Sequence, residues 1–251
     1  MKLILSEKLD SQLRQESLME FEREAKSILG DLRVQVETIG EIGGWVSIEY
    51  DGEDSEVFTE ALKNRYGAAP IQFSRLRLGD VYRGFVVGSG KVGYGLYIDI
   101  GVITPSRKDG LYPLHRMRAQ LIDGESRPLR EIARRFCLYE GLPLDVRVES
   151  LEADGRISLA LTERQEAFFK GWETYPFDRV VVVGALAGGV RAAIRNTGLE
   201  RDIVNVERLS LASSILTCKL GTEALGVISK LGPELAGARL YPFIPRIRMK
   251  M

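Results

Sequence analysis

Histidine is nearly absent from this chain: His115 is the only one in 251 residues. That excludes a zinc site built on several histidines, and any catalytic triad using a histidine other than this one. Cysteine is almost as scarce. Cys137 and Cys218 lie far apart and in no metal-ligand spacing, so both read as small, mostly buried apolar residues rather than as a disulfide. Long apolar runs are missing as well, and nothing approaches the ~20 continuous residues that span a bilayer. The opening Met1-Lys2-Leu3-Ile4-Leu5-Ser6-Glu7 carries too short an apolar run for a signal peptide, which leaves a cytoplasmic protein with no membrane partner as the expectation. Low-complexity segments and heptad runs are lacking too. No residue set calls for a cofactor.

An excess of one charge sign is also missing, with 35 basic residues against 35 acidic. The distribution is nevertheless uneven. Residues 1–70 hold 8 Lys and Arg against 15 Asp and Glu, residues 71–178 hold 16 against 15, and residues 179–251 hold 11 against 5. A basic end can attract phosphate, although solvated helix faces that happen to differ account for the same numbers.

Hydrophobic periodicity predicts an α+β protein in three segments: residues 1–74, 75–168 and 177–251. The first reads as βαββαβ. Lys2–Ser6 is a strand, and Asp10 or Ser11 caps a helix with Leu18, Phe21, Ala25 and Ile28 on one face. Leu32–Ile39 and Trp45–Tyr50 flank a glycine bend, Ser55–Tyr66 is a helix, and Ile71–Leu76 is a last strand. This order is that of a ferredoxin-like α/β sandwich. The third segment repeats it: strand Arg179–Val183, helix Ala187–Asn196, strands Ile203–Leu211 and Ile215–Leu220, helix Thr222–Leu231 and strand Arg239–Phe243. Arg179–Val183 is continuously apolar after its first residue, as befits a strand buried on both faces.

The central segment differs in texture. Val81–Val87, Leu96–Ile100, Gly110–Tyr112, Leu144–Ser150 and Arg156–Leu161 are strand-like runs, with a long insertion between the third and fourth. That layout is a five-stranded Greek-key barrel with a helix before strand four. Gly88-Ser89-Gly90-Lys91-Val92-Gly93 satisfies G-x-G-x-x-G, but a strand follows it where a dinucleotide fold needs a helix, so it reads as a hairpin bend. In Gly184-Ala185-Leu186-Ala187-Gly188-Gly189, Leu186 stands where a second glycine must admit a phosphate, and the stretch reads as a strand-to-helix turn.

Specificity rises when the central motifs are taken together. Gly79-Asp80-Val81-Tyr82-Arg83-Gly84-Phe85 is followed by Tyr94-Gly95-Leu96-Tyr97-Ile98-Asp99-Ile100-Gly101. Then come Asp109-Gly110-Leu111-Tyr112-Pro113-Leu114, Gly141-Leu142-Pro143-Leu144-Asp145-Val146 and Asp154-Gly155-Arg156-Ile157-Ser158-Leu159. In that order they resemble the five strands of the S1 RNA-binding domain, an OB barrel. The resemblance implies single-stranded RNA binding across strands two and three. It makes Tyr94 and Tyr97 stacking candidates and Arg156 a phosphate contact. Tyrosine faces stack on any base, and arginine adds charge. Phe85 extends the platform or belongs to the core, and each tyrosine could instead pack on a neighbouring domain.

Two departures stand out. Pro113 replaces the histidine often found in the third-strand motif, and His115 takes the following serine position. The insertion from His115 to Phe136 is rich in arginine, including Arg116, Arg118, Arg130 and Arg134. Leu129, Ile132, Ala133 and Phe136 repeat at helical spacing, so the arginines line an outer helix face. With Lys91 in the hairpin they make a basic border for an RNA groove, or else an ordinary solvated helix.

The whole chain also resembles an uncharacterised archaeal family, the domain of unknown function 2110, through Lys91-Val92-Gly93-Tyr94-Gly95-Leu96-Tyr97, Pro128-Leu129-Arg130-Glu131-Ile132 and Cys218-Lys219-Leu220-Gly221-Thr222. This implies an archaeal source and supplies no activity. The expectation is an RNA-binding factor without catalysis, set in translation or RNA processing, that meets single-stranded or structured RNA on the ribosome or an RNA-processing complex. The alternative is a protein-interaction module docking ribosomal or polymerase subunits. An enzyme would need Asp99 and Asp109 as a metal-binding carboxylate pair, whereas a strand end and an Asp-Gly turn account for both.

Overall fold

A central strand buried from Trp45 to Tyr50 at every position but Glu49 anchors the amino-terminal sheet of the computed structural model, which describes residues 1–90 and 92–245. Strands β1 (Lys2–Lys8), β2 (Val34–Ile42) and β3 (Trp45–Gly52) form an antiparallel sheet in the order β1-β3-β2. Strand β2 runs past the expected Ile39 because the bend falls later, at Gly43 and Gly44. Their φ values of 60° and 89° are the paired left-handed conformations of a tight two-residue hairpin. Helices α1 (Arg14–Leu29) and α2 (Ser55–Tyr66) bury Phe21, Ala25, Phe58 and Leu62 against Leu5, Val46 and Ile48. The expected cap at Asp10 or Ser11 does not form. Asp10 Oδ1 accepts the Gln12 N–H at 2.9 Å, closing a turn, and α1 starts at Arg14.

The strand expected at Ile71–Leu76 does not join this sheet. Beside β1 there is only an antiparallel bridge of Leu5 with Ala68. Pro70 has no N–H to extend the ladder, and Ile71 turns at a φ of 61°. The chain then crosses to the central region, where β4 (Ile71–Gln72) runs parallel to a barrel strand.

That central region is a closed barrel of five strands: β5 (Val81–Val87), β6 (Gly95–Thr104), β7 (Lys108–Pro113), β8 (Pro143–Leu151) and β9 (Ile157–Leu161). Strand β6 pairs with β5 and β7, β5 with β8, and β8 with β9, all antiparallel. Leu111 opposite Ser158 then joins β7 to β9 in parallel and closes the cylinder. Val86, Leu96, Ile98, Leu144, Val146 and Leu159 point inward to the core. The insertion makes two helices where one was expected. Helix α3 (Leu114–Leu121) precedes α4 (Leu129–Arg135), and its buried Met117 and Leu121 are spaced for one face. Helix α5 (Glu163–Thr174) follows the barrel and is capped by Thr162, whose Oγ1 accepts the Gln165 N–H at 3.1 Å.

The carboxy-terminal elements follow the expected order: β10 (Arg179–Val183), α6 (Ala187–Asn196), β11 (Ile203–Ser210), β12 (Ser213–Cys218), α7 (Ala224–Leu231) and β13 (Arg239–Phe243). They form an antiparallel sheet in the order β11-β12-β10-β13. Val180, Val182 and Leu216 pack under α6 and α7. Val181, Val183, Ile215 and Phe243 join the barrel core instead. Burial on both faces is the physical reason for the unbroken valine run.

Each flanking sheet meets the barrel differently. Phe243 packs against Trp172 and Phe136, and Tyr241 stacks on Tyr139 with ring centroids 4.3 Å apart. At the amino-terminal side Trp45 meets Phe85 edge-on at 5.6 Å. There Asp99, only 1% exposed, receives Lys8 at 2.7 Å and Arg107 at 2.8 Å. Leu211, between β11 and β12, inserts into the amino-terminal core, and its N–H donates to Glu7 Oε2 at 3.0 Å. Cys137 and Cys218 are buried and form no disulfide. Among the described residues no helix is long and apolar enough to cross a membrane.

Candidate nucleic-acid interface

Strand alternation decides which way the second barrel strand shows its aromatics. Leu96 and Ile98 are buried inside, so Tyr97 between them points outward. Tyr94 sits where the glycine hairpin runs into β6 and is 55% exposed. Its carbonyl accepts the Leu114 N–H at 2.8 Å, which ties it to the start of α3. The two hydroxyls are 2.8 Å apart, and the rings meet at 82° with centroids separated by 6.4 Å. This edge-to-face pair offers Tyr94 as the open ledge with Tyr97 bracing it, rather than two parallel ledges. The hydrogen bond with Tyr94, followed by desolvation, holds the Tyr97 hydroxyl above the usual tyrosine range, so it stays neutral at physiological pH.

The outward face continues across neighbouring strands. Tyr97 lies opposite Leu111 on β7, and Leu111 lies opposite Ser158 on β9. Arg156 stands at the rim of this face, two residues before Ser158. It is 74% exposed and pairs with both Glu152 and Asp154, at 2.5 and 2.8 Å, so a phosphate would displace two solvent-screened pairs that are each worth little.

A cleft of about 470 Å³ lies elsewhere at the domain junction, while a larger one of about 930 Å³ borders the glycine hairpin. The larger cleft is lined by Ser89, Gly90, Val92 and Gly93 of the hairpin, by Arg118 of α3 and by Arg130, Glu131 and Arg134 of α4, with Leu96, Leu114, Leu129 and Tyr139 adding apolar surface. Arg130 and Arg134 are exposed, one helical turn apart, and among the described residues neither reaches a carboxylate. Like charges at this spacing cost an isolated helix roughly 0.2–0.5 kcal/mol, which a bound polyanion would reverse. The Arg118 Nε–H donates to the Arg127 carbonyl at 2.9 Å, which orients that guanidinium.

Phe85 and Arg116, also expected at the interface, lie elsewhere. Phe85 is 3% exposed and packs on Trp45, so it belongs to the interdomain core and cannot extend a stacking platform. Arg116 is ion-paired with Glu149 on β8, a strand that borders neither β6 nor β7. Lys91 lies outside the described residues. Pro113 ends β7 opposite Gly95, and His115 is exposed on α3. Asp99 is committed to Lys8 and Arg107, so its carboxylate serves the domain contact. Tyr139 was not anticipated in the cleft. Its signal was an aromatic closing the apolar run Phe136-Cys137-Leu138, but its pairing with Tyr241 depends on a contact between domains.

Two family models match the chain: the DUF2110 central domain over residues 76–173, and the DUF2110 C-terminal domain over residues 177–241. A comparison with curated proteins found no match.

Proposed function

The chain belongs to the DUF2110 family, and we propose that it is an RNA-binding factor without catalysis, holding single-stranded RNA on the outer face of its barrel. The observation that carries this reading is the exposed Tyr94, braced edge-on by Tyr97, beside a cleft lined by Arg118, Arg130 and Arg134. Bases stack on the tyrosine ledge while arginines neutralise phosphates. Strand connectivity supports the finer fold reading. Closure of strand three on strand five is what an S1-like OB barrel would require, and the carboxy-terminal sheet order is what a ferredoxin-like sandwich would require. The amino-terminal sheet is the same sandwich with its fourth strand reduced to a bridge. An archaeal, cytoplasmic setting in translation or RNA processing completes the reading.

The test is a filter-binding titration of single-stranded RNA. Tyr94→Ala combined with Tyr97→Ala weakens binding at least about tenfold, in line with ~1–3 kcal/mol per stacked base. Circular dichroism of the variant stays native. Unchanged affinity sinks the assignment. Wild-type binding falls steeply from low to moderate salt through counterion release. Affinity only for a protein partner, with none for RNA at low salt, favours an interaction module docking ribosomal or polymerase subunits.

A further inference from the structure

The smaller cleft, of about 470 Å³, lies where all three parts of the chain meet, away from the tyrosines. Glu7 of β1 lines it and is 2% exposed. One carboxylate oxygen accepts the Leu211 N–H at 3.0 Å, and among the described residues no cation reaches ion-pair distance. A buried carboxylate held by a single backbone donor keeps acceptor capacity unused. Arg83 and Arg208 stand near it, but each is bound to another acid: Arg83 to Asp145 at 3.1 Å and Arg208 to Glu24. Arg164 on α5 lines the same cleft, is exposed, and has no carboxylate partner among the described residues. Half-buried Phe168 adds an aromatic surface.

Besides Glu207 and Asp145, the latter engaged by Arg83, the cleft offers a buried carboxylate, an aromatic ring and an arginine, which match the parts of a nucleotide. Guanine is the base whose edge carries two adjacent N–H donors, at N1 and N2, for one carboxylate. We propose that this cleft binds a guanine nucleotide, with the base edge on Glu7, the ring against Phe168 and the phosphate on Arg164. Burial lifts the Glu7 carboxyl to about 7, so the accepting form is present at pH 8.

The experiment is calorimetry on the full chain at pH 8, in the Tyr94→Ala, Tyr97→Ala background, which separates this site from the RNA face. The probes are GMP, AMP, inorganic phosphate and a short RNA with a 5′-terminal guanylate. GMP binds at least about tenfold more tightly than AMP, the discrimination expected of a charged hydrogen-bonded pair. Glu7→Gln, a near-isostere, abolishes that preference, and Arg164→Ala, at an exposed position, weakens GMP severalfold. Binding of the RNA well above GMP assigns the site to a chain end, and equal binding assigns it to the free nucleotide. Absence of heat with both GMP and the RNA overturns the proposal, as does GMP affinity that Glu7→Gln leaves unchanged.

Discussion

The two flanking sheets begin from the same order of elements and end differently. In the carboxy-terminal sheet the fourth strand, β13, pairs with β10 over five residues, from Arg179 with Phe243 to Val183 with Arg239. In the amino-terminal sheet its counterpart is one bridge, after which Pro70 and the positive φ of Ile71 send the chain into the barrel. The complete sheet docks through an apolar face, with Phe243 among aromatic rings. The incomplete one adds buried polar contacts to the Trp45–Phe85 packing, with Lys8 on Asp99 and Glu7 on the Leu211 N–H. Where the ladder stops short, the charged side chains at the end of β1 take part in the contact.

The largest effect should come from the apolar side. Phe243→Ala removes a side chain with 0% exposure from that interface, and should cost roughly 3–5 kcal/mol in urea denaturation. A loss below about 1 kcal/mol would mean that the face contact is not what holds this sheet to the barrel. At the polar side, Asp99→Ala strands Lys8, Arg107 and the buried Gly101 N–H. The two cations are partly solvated, so the expected cost is smaller, about 2 kcal/mol. Increased protease cleavage between residues 66 and 76, with the barrel intact, would localise that damage to the amino-terminal junction.

The smallest change, taken per pH unit, concerns Glu7 and has a defined sign. Its carboxyl is raised to about 7, chiefly by burial and against the opposing pull of Arg83 and Arg208, while Glu24 adds to the rise. Between the ordinary value of 4.5 and about 7 the folded chain holds a proton that the unfolded chain has released. Stability therefore falls as pH rises through that window, by up to roughly 1 kcal/mol per pH unit. Glu7→Gln should flatten this slope in melts taken from pH 4.5 to 8. A wild-type profile already flat there would show that the junction does not store this proton.

The direction in which a candidate side chain faces was legible where it depends on its own strand or helix. Tyr97 faces outward because Leu96 and Ile98 face inward, an alternation visible in the sequence. Arg130 and Arg134 lie on the outer face of a helix whose other face is Leu129, Ile132 and Ala133. Phe85 defeated the same logic. It is also outward on its strand, opposite Asp99, but that stretch of barrel exterior is covered by Trp45 from another part of the chain. Arg116 was misplaced for a similar reason, since its partner Glu149 is far along the chain.

By itself the sequence determined the barrel's strands, the glycine bends and the valine strand buried on both faces, because these follow from periodicity and backbone conformation within a few residues. Only the tertiary structure decided that the first sheet lacks a paired fourth strand, that Phe85 is interior, and that Glu7, Phe168 and Arg164 share one cleft. Those outcomes depend on surfaces from distant segments competing for the same contacts, and no local pattern encodes which of them wins.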